Sequence, residues 1–325
     1  MLVYVLRRLS QSVAVLIGVT LITFLALHVG GDPTYLFVGE RATPQDIEMA
    51  RQALGFDKPL YVQYLNFAWK LVQGDMGQSL TYKSNALGVV VEHLPATIEL
   101  TMAAFAFATI FAIPLGVFAA LKRGTGIDGA VMTFAMIGQS MPSFWLGIMM
   151  IIFFGLFLNW LPISGHTPLL APLLAGDLVT AIHNTPEALV HLIMPAATVG
   201  LFSLSRNARL IRSSMLEVLG LDFVRTARAK GQTEKGVVLN HALRNAWLPV
   251  ITILGLEFGF MLSGVVVVET IFSWPGVGRL VFNAIGQRDI PVVQAAVVLF
   301  SFAFVAINLC VDMLYARLDP RVRLR

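Results

Sequence analysis

The feature that most constrains this chain is the recurrence of apolar stretches long enough to cross a bilayer. About 30 Å of hydrocarbon requires roughly 20 apolar residues in a helix. Windows of that kind lie at Leu9–Val29, Thr97–Leu121, Gly129–Trp160, His191–Leu210, Leu248–Glu269 and Pro291–Leu314. The chain therefore reads as an all-α membrane protein with six transmembrane helices. The third window is overlong and carries Pro142 inside Gln139-Ser140-Met141-Pro142-Ser143, which predicts tilt, a kink or an interfacial turn. Composition agrees, since 57% of the residues are hydrophobic and only 13% charged, against about a quarter charged in soluble domains.

Lys and Arg set the orientation, because they are held on the cytoplasmic side. With the N-terminus inside, sixteen of the 23 fall in cytoplasmic connections: Arg7 and Arg8, Lys122 and Arg123, the eight from Arg206 to Arg244, and the four from Arg317 to Arg325. The even number of crossings puts both termini in the cytoplasm of a multi-pass membrane protein. Basic runs interleaved with aromatics are absent, so the net charge of +4 points to topology and not to nucleic acid. Arg7 and Arg8 before an apolar stretch are similar to a secretory signal, but no small-x-small cleavage site precedes Gly31-Asp32-Pro33, and the segment reads as a retained first helix. The single cysteine, Cys310, lies in an apolar run and is expected to be a small buried hydrophobe.

Residues 1–30 thus form the N-terminus and first span, 31–95 an outer segment, and 96–325 the remaining spans with a cytoplasmic loop over 211–247. Helix-like patterning in the outer segment runs from Thr43 to Leu54 and from Leu60 to Val72. Pro44 is a start signal and Gly55 a stop. This segment is expected to be a small helical cap between spans 1 and 2.

The cytoplasmic loop is the most informative connection. Asp222 is placed to cap a helix and Gly231 to end it in the left-handed conformation, defining about eight residues, roughly 12 Å at 1.5 Å per residue. Leu216, Leu219, Phe223 and Ala227 fall on one face, with Arg225 and Arg228 elsewhere. A second helix is expected from near Thr233 toward Leu248-Pro249. Such a pair can pass motion from a soluble partner into the spans; the plainer alternative is a solvated basic loop that only fixes topology.

Thr226-Ala227-Arg228-Ala229-Lys230-Gly231, His241-Ala242-Leu243-Arg244-Asn245-Ala246 and Leu248-Pro249 resemble the EAA loop of ABC importer permeases, in the variant of dipeptide, oligopeptide, glutathione and nickel permeases. The resemblance extends through Leu6-Arg7-Arg8-Leu9, Gly31-Asp32-Pro33, Leu54-Gly55-Phe56-Asp57-Lys58-Pro59-Leu60, Gly74-Asp75-Met76-Gly77, Ser213-Ser214-Met215-Leu216, the run from Glu269 to Gly278, Arg288-Asp289-Ile290-Pro291 and Asp319-Pro320-Arg321. Two departures stand out: Gly30 where the family usually has Pro, and Thr226 at the EAA glutamate position. The resemblance implies that Asp222, Arg225, Thr226, Ala227, Ala229, Lys230 and Gly231 sit in a cleft of an ATPase subunit. It further implies a second homologous permease, two ATPase subunits and a periplasmic or lipid-anchored binding protein as partners. Trp274-Pro275-Gly276 should make a rigid outer turn; with Arg288 and Asp289 it is a candidate outer gate or binding-protein contact.

No G-x-x-x-x-G-K-[ST] loop occurs, so no cofactor is assigned to this chain, and ATP and Mg are expected on the partner ATPases. Its six histidines lack ligand spacing and no metal site is assigned. Glu257 lies about nine residues into the fifth span, where a carboxylate is costly and ordinarily faces a bundle interior or water. A pathway-lining group, an interhelical hydrogen-bonding group and a proton carrier are its competing roles. Gln139, Ser140 and Ser143 form a second polar cluster at a helix break, lining a cavity or serving as packing glue. The expected function is import of short peptides. A nickel permease, a proton-driven transporter using Glu257 and a membrane scaffold are its rivals.

Overall fold

The structure, a computed structural model, describes residues 2–29, 33–36, 38 and 42–318. Gly30, Gly31, Asp32 and Arg41, and Asp319-Pro320-Arg321 with the rest of the C-terminus, lie outside the described residues. The helices are α1 (Leu2–Val29), α2 (Pro44–Leu54), α3 (Leu60–Val72), α4 (Ala86–Leu121), α5 (Gly126–Ser140), α6 (Ser143–Met150), α7 (Leu170–Leu174), α8 (Leu178–Leu219), α9 (Asp222–Ala229), α10 (Glu234–Gly236), α11 (Arg244–Gly264), α12 (Val266–Ile271), α13 (Val277–Gly286) and α14 (Ile290–Leu318). Wider π-helical turns extend α6 through Ile151–Phe157 and join α10 to α11 through Val237–Leu243.

The all-α expectation holds, and length and composition of the described helices do not by themselves give six single spans. Among the described residues four helices are long and apolar enough to cross a membrane, at Arg7–Ala26, Ala86–Leu121, Leu178–Leu219 and Ile290–Val311. Gly126–Ser140 and Ser143–Phe157, bent by 104°, make a fifth if taken as one broken span. The window Leu248–Glu269 is helical as α11 and α12, which meet at Val265. Pro142 causes the bend: it lacks an N–H and disfavours helical geometry in the residue before it, and Met141 is extended at φ −77° and ψ 127°.

The chain divides into two compact units, Met1–Pro95 with Gly276–Leu309, and Ala96–Pro275 with Cys310–Arg325. In the first, α2 has the expected ends. Thr43 and Asp46 form a reciprocal capping box, Pro44 opens the helix, and Gly55 closes it at φ 76°. α3 packs on α1, with the Tyr64 hydroxyl 3.1 Å from Thr20 Oγ1 and the Phe24 ring edge-on to Tyr64. Met76, Val90, Val277, Leu280 and Val292 are buried together.

In the second unit the long α8 is the organising strut. Small residues let its neighbours approach closely. A Cβ on Gly200 of α8 would stand 2.8 Å from the Ala104 carbonyl of α4, and one on Gly116 of α4 would stand 2.7 Å from the Ala208 carbonyl of α8. These contacts advance in the same sense along both helices, so α4 and α8 run parallel. The broken pair, which lies between them in sequence, packs along α8. The Arg212 guanidinium donates to both Asp128 oxygens at 2.6 and 2.8 Å, Gly138 abuts Ser205 and Leu201, and Gly147 abuts Thr198. As numbers rise along α5 and α6 they fall along α8, so the pair packs antiparallel to α8.

Candidate functional site

Two regions of the second unit hold the residues singled out in the sequence. The first is the loop after α8. That helix continues to Leu219, well past the expected end of its span, so the connection proper is shorter than 211–247. α9 covers Asp222–Ala229, and Gly231 follows with φ 78°. Two details differ from expectation. Asp222 is the first helical residue, with Leu221 at the cap position and no side-chain cap; its carboxylate lies 3.4 Å from Arg225 instead. The buried face is Val224 and Ala227, packed with Val218, Leu219 and Val237, while Phe223 is exposed. The apolar phase of α8 does not carry through the break at Gly220-Leu221, so Val224 takes the place assigned to Phe223.

Arg225, Thr226, Ala229, Lys230 and Gly231 are exposed, with Leu221 and Phe223 beside them. Arg228 holds Glu234 through two hydrogen bonds of 2.6 and 3.1 Å, and His241 Nε2 lies 2.7 Å from Gln232 Oε1. Thr233 accepts from the Gly236 N–H and starts the second helix, which then runs without a loop from Glu234 to Gly264. The Arg228 guanidinium keeps the Glu234 carboxyl below the usual carboxylate range.

The second region is a cavity of about 570 Å³ at the α5–α6 break. Gln139, Ser140 and Ser143 from the break and Glu257 from α11 all line it, with Ser203 and Arg206 of α8. The sequence thus marked four residues that the fold gathers, although 114 positions separate Ser143 from Glu257. Glu257 is buried, and its Oε2 has no hydrogen-bond partner. Its polar neighbours are Ser203, Asn207 and Arg206; both side-chain polar atoms of buried Asn207 are likewise unpaired. Gln139 accepts from the Arg209 guanidinium. Sequence reasoning counted Arg206 only for topology and passed over Ser203 and Asn207; their four-residue spacing on a long helix was the available signal. Pocket walls of this kind, apolar with a few convergent polar groups, are what bundles use to hold or pass a solute.

The remaining candidates are placed differently. Trp274 is fully buried, its Nε1 donating to the Ala96 carbonyl at 2.8 Å and its ring edge-on to His166. His166 lies 2.8 Å from Glu99, which also accepts from the Leu169 and Leu170 N–H groups, and buried Glu269 accepts from Thr97 at 2.7 Å. Pro275 is half-buried. In the first unit Gly276 and Asp289 are buried and Arg288 is exposed. Asp289 accepts from the Ser79 hydroxyl and the Thr81 N–H at 2.5 and 3.0 Å. Trp274 and Asp289 therefore brace turns from inside. Cys310, expected inside, is exposed on α14. Among the described residues no cluster of three or more His, Cys, Asp or Glu could hold a metal.

Residues 112–324 match the family described as binding-protein-dependent transport system inner membrane component, and residues 1–101 match the N-terminal region of such membrane components. The chain belongs to this permease family. The di/tripeptide transport system permease protein DppB of Pseudomonas aeruginosa is 44% identical over 333 residues, covering 99% of both chains. The dipeptide transport system permease protein DppB of Escherichia coli K12 is 43% identical over 336 residues, again covering 99% of each. Its counterpart in Alkalihalophilus pseudofirmus is 40% identical over 332 residues, covering 99% of this permease and 100% of that protein. The permease is thus an inner-membrane, multi-pass subunit of the DppB type, and its helical architecture is that of an ABC permease.

Proposed function

We propose that this permease carries short peptides across the inner membrane, as one of two homologous membrane subunits driven by two ATPase subunits and fed by a substrate-binding protein. The observation that carries the reading is the cavity in which Glu257, Gln139, Ser140, Ser143, Ser203 and Arg206 meet among helices that otherwise present apolar side chains. Polar groups so placed are costly in lipid and are retained where a solute passes. Peptides are favoured over nickel because full-length relatives 40–44% identical are named for dipeptide or di/tripeptide transport.

The exposed face of α9, with Leu221, Phe223, Arg225, Thr226, Ala229 and Lys230, is the contact for the ATPase, which binds ATP and Mg. α9 is held to the helix from Glu234 to Gly264 by Arg228 and Glu234 and by the Val224, Ala227 and Val237 cluster, so its displacement reaches Glu257 without crossing a flexible loop. In this reading the loop and both termini are cytoplasmic. Residues 1–30 serve as the entry span, 31–95 as an outer segment and 96–325 as the transport domain. On the outer side Arg288 is the exposed group for a binding protein, while Trp274, Pro275, Gly276 and Asp289 fix the turns of an outer gate.

Uptake of a labelled dipeptide into vesicles containing the assembled complex tests this. Glu257→Ala should lower uptake while ATP hydrolysis and assembly persist, and Glu257→Gln should retain most of it, since Gln keeps the polar contact without a titrating proton. Full uptake by Glu257→Ala combined with Gln139→Ala, or uptake driven by a proton gradient without ATP, would overturn the reading.

A further inference from the structure

α3 was expected to belong to a small outer helical cap, and its three faces say where such a helix can lie. At 3.6 residues per turn, Tyr64, Phe67 and Leu71 fall on one face, and this face is the one packed on the protein: Tyr64 and Phe67 against Phe24 of α1 with ring centroids at 5.6 and 5.9 Å, and Leu71 against the cluster around Met76. A second face carries Tyr61, Leu65, Trp69 and Val72, each between 62% and 79% exposed. The third carries Asn66, Lys70 and Gln73, also exposed. A cap helix surrounded by water would place that apolar row against solvent, and an immersed helix would place the polar row in hydrocarbon. A helix lying in the bilayer surface satisfies both rows.

The depth agrees. Thr20 and Phe24, which α3 touches, lie six and two residues before the end of the apolar window Arg7–Ala26, hence about 9 and 3 Å below it at 1.5 Å per residue. Interfacial helices bury their apolar face about 5–10 Å into the boundary between headgroups and acyl chains. The row is continuous in depth with exposed Leu21, Ile22 and Leu25 of α1, a surface that lipid covers in any spanning helix. Tyr61 and Trp69 supply the amphipathic rings that settle at headgroup level.

We infer that α3 is an in-plane membrane helix, with Tyr61, Leu65, Trp69 and Val72 seated in the lipid at the surface where α1 ends, and with Asn66, Lys70 and Gln73 facing water. The occupant of the apolar row is lipid, not a second protein. Single spin labels at Leu65→Cys and at Lys70→Cys, in a Cys310→Ala background of the complete importer in phosphatidylethanolamine and phosphatidylglycerol vesicles with its other cysteines replaced, test this. Collisions with oxygen, which partitions into lipid, are compared with those of a water-soluble nickel chelate. The expected result is frequent oxygen and rare nickel collisions at 65, reversed at 70. Frequent nickel collisions at 65 would make the row solvated. Rare collisions with both reagents at 65 would mean a protein covers it, and an oxygen-rich, nickel-poor label at 70 would mean full immersion; each overturns the inference.

Discussion

Replacing Gly200 by alanine probes how closely α4 and α8 approach. The added Cβ would stand 2.8 Å from the Ala104 carbonyl oxygen and 2.8 Å from Phe107 Cδ1, whereas ordinary contact begins at 3.4 Å. The helices must therefore separate locally by about 0.6 Å, and because one obstacle is a backbone carbonyl, no side-chain rotation relieves it. Overpacking of this kind costs about 1–3 kcal/mol. Against it stands the roughly 0.5–1 kcal/mol that alanine gains over glycine within a helix, leaving a net loss of up to about 2.5 kcal/mol. Gly129 of α5 is the internal comparison, since a Cβ there meets nothing within 4 Å, and Gly129→Ala should gain the propensity term alone. Midpoints of thermal unfolding in detergent, followed by loss of the monodisperse complex, should fall for Gly200→Ala and not for Gly129→Ala. Equal midpoints would refute the close approach, and with it the parallel alignment of α4 and α8 drawn from it.

At Gly231 the left-handed φ of 78° is combined with open space around the missing Cβ. Strain alone therefore governs substitution. Gly231→Val should cost about 1–2 kcal/mol locally and uncouple ATP hydrolysis from uptake, while Gly231→Asn, which tolerates that conformation, should stay near the original rate in the same coupled assay. Asp289 gives a pH dependence. Burial pushes its carboxyl up, but hydrogen bonds from Ser79 and from the Thr81 and Leu80 backbone outweigh this and hold it below the usual carboxylate value of 3.8. A depressed folded value means that the stabilisation is complete at pH above the unfolded value and is lost as acid brings the pH down through the folded one. Protease resistance of the Gly74–Ala86 segment should thus be flat near neutrality and fall below about pH 4, and Asp289→Asn should weaken it near neutrality by about 1–3 kcal/mol, the difference narrowing in acid. An unchanged digestion profile in that variant would remove Asp289 from its bracing role.

Features decided within a few residues were legible in the sequence. Pro44, Gly55 and Gly231 mark helix ends because capping is local, and Pro142 marks a break because the missing N–H is its own. Phase was lost wherever a helix restarted: carrying the spacing of Leu216 and Leu219 across Gly220 put Phe223 on the wrong face. Tertiary pairs had no local trace. Arg212 with Asp128, and Trp274 with the Ala96 carbonyl, join distant segments. Their residue types suggested topology in one case and a surface contact in the other. Glu257 was legible as an anomaly, since a carboxylate amid Leu256, Phe258 and Phe260 contradicts its surroundings, but which helices faced it depended on the fold. For α3 the difficulty was different. Its apolar and polar rows were both present, yet without α1 as a depth gauge they could not be assigned to lipid and water.

The break at Met141-Pro142 has an electrostatic consequence beyond its shape. α5 ends there with carbonyl groups that no later turn of its own can satisfy, and α6 begins there with free N–H groups. One helix therefore presents a partial negative charge, and the next a partial positive one, to the same cavity wall. An unbroken helix would cancel the two internally. These charges belong to the backbone, so they neither titrate nor vanish when Gln139, Ser140 or Ser143 is replaced. The backbone contribution to the cavity's polarity is therefore the same across the physiological pH range, which suits a solute with an ammonium at one end and a carboxylate at the other.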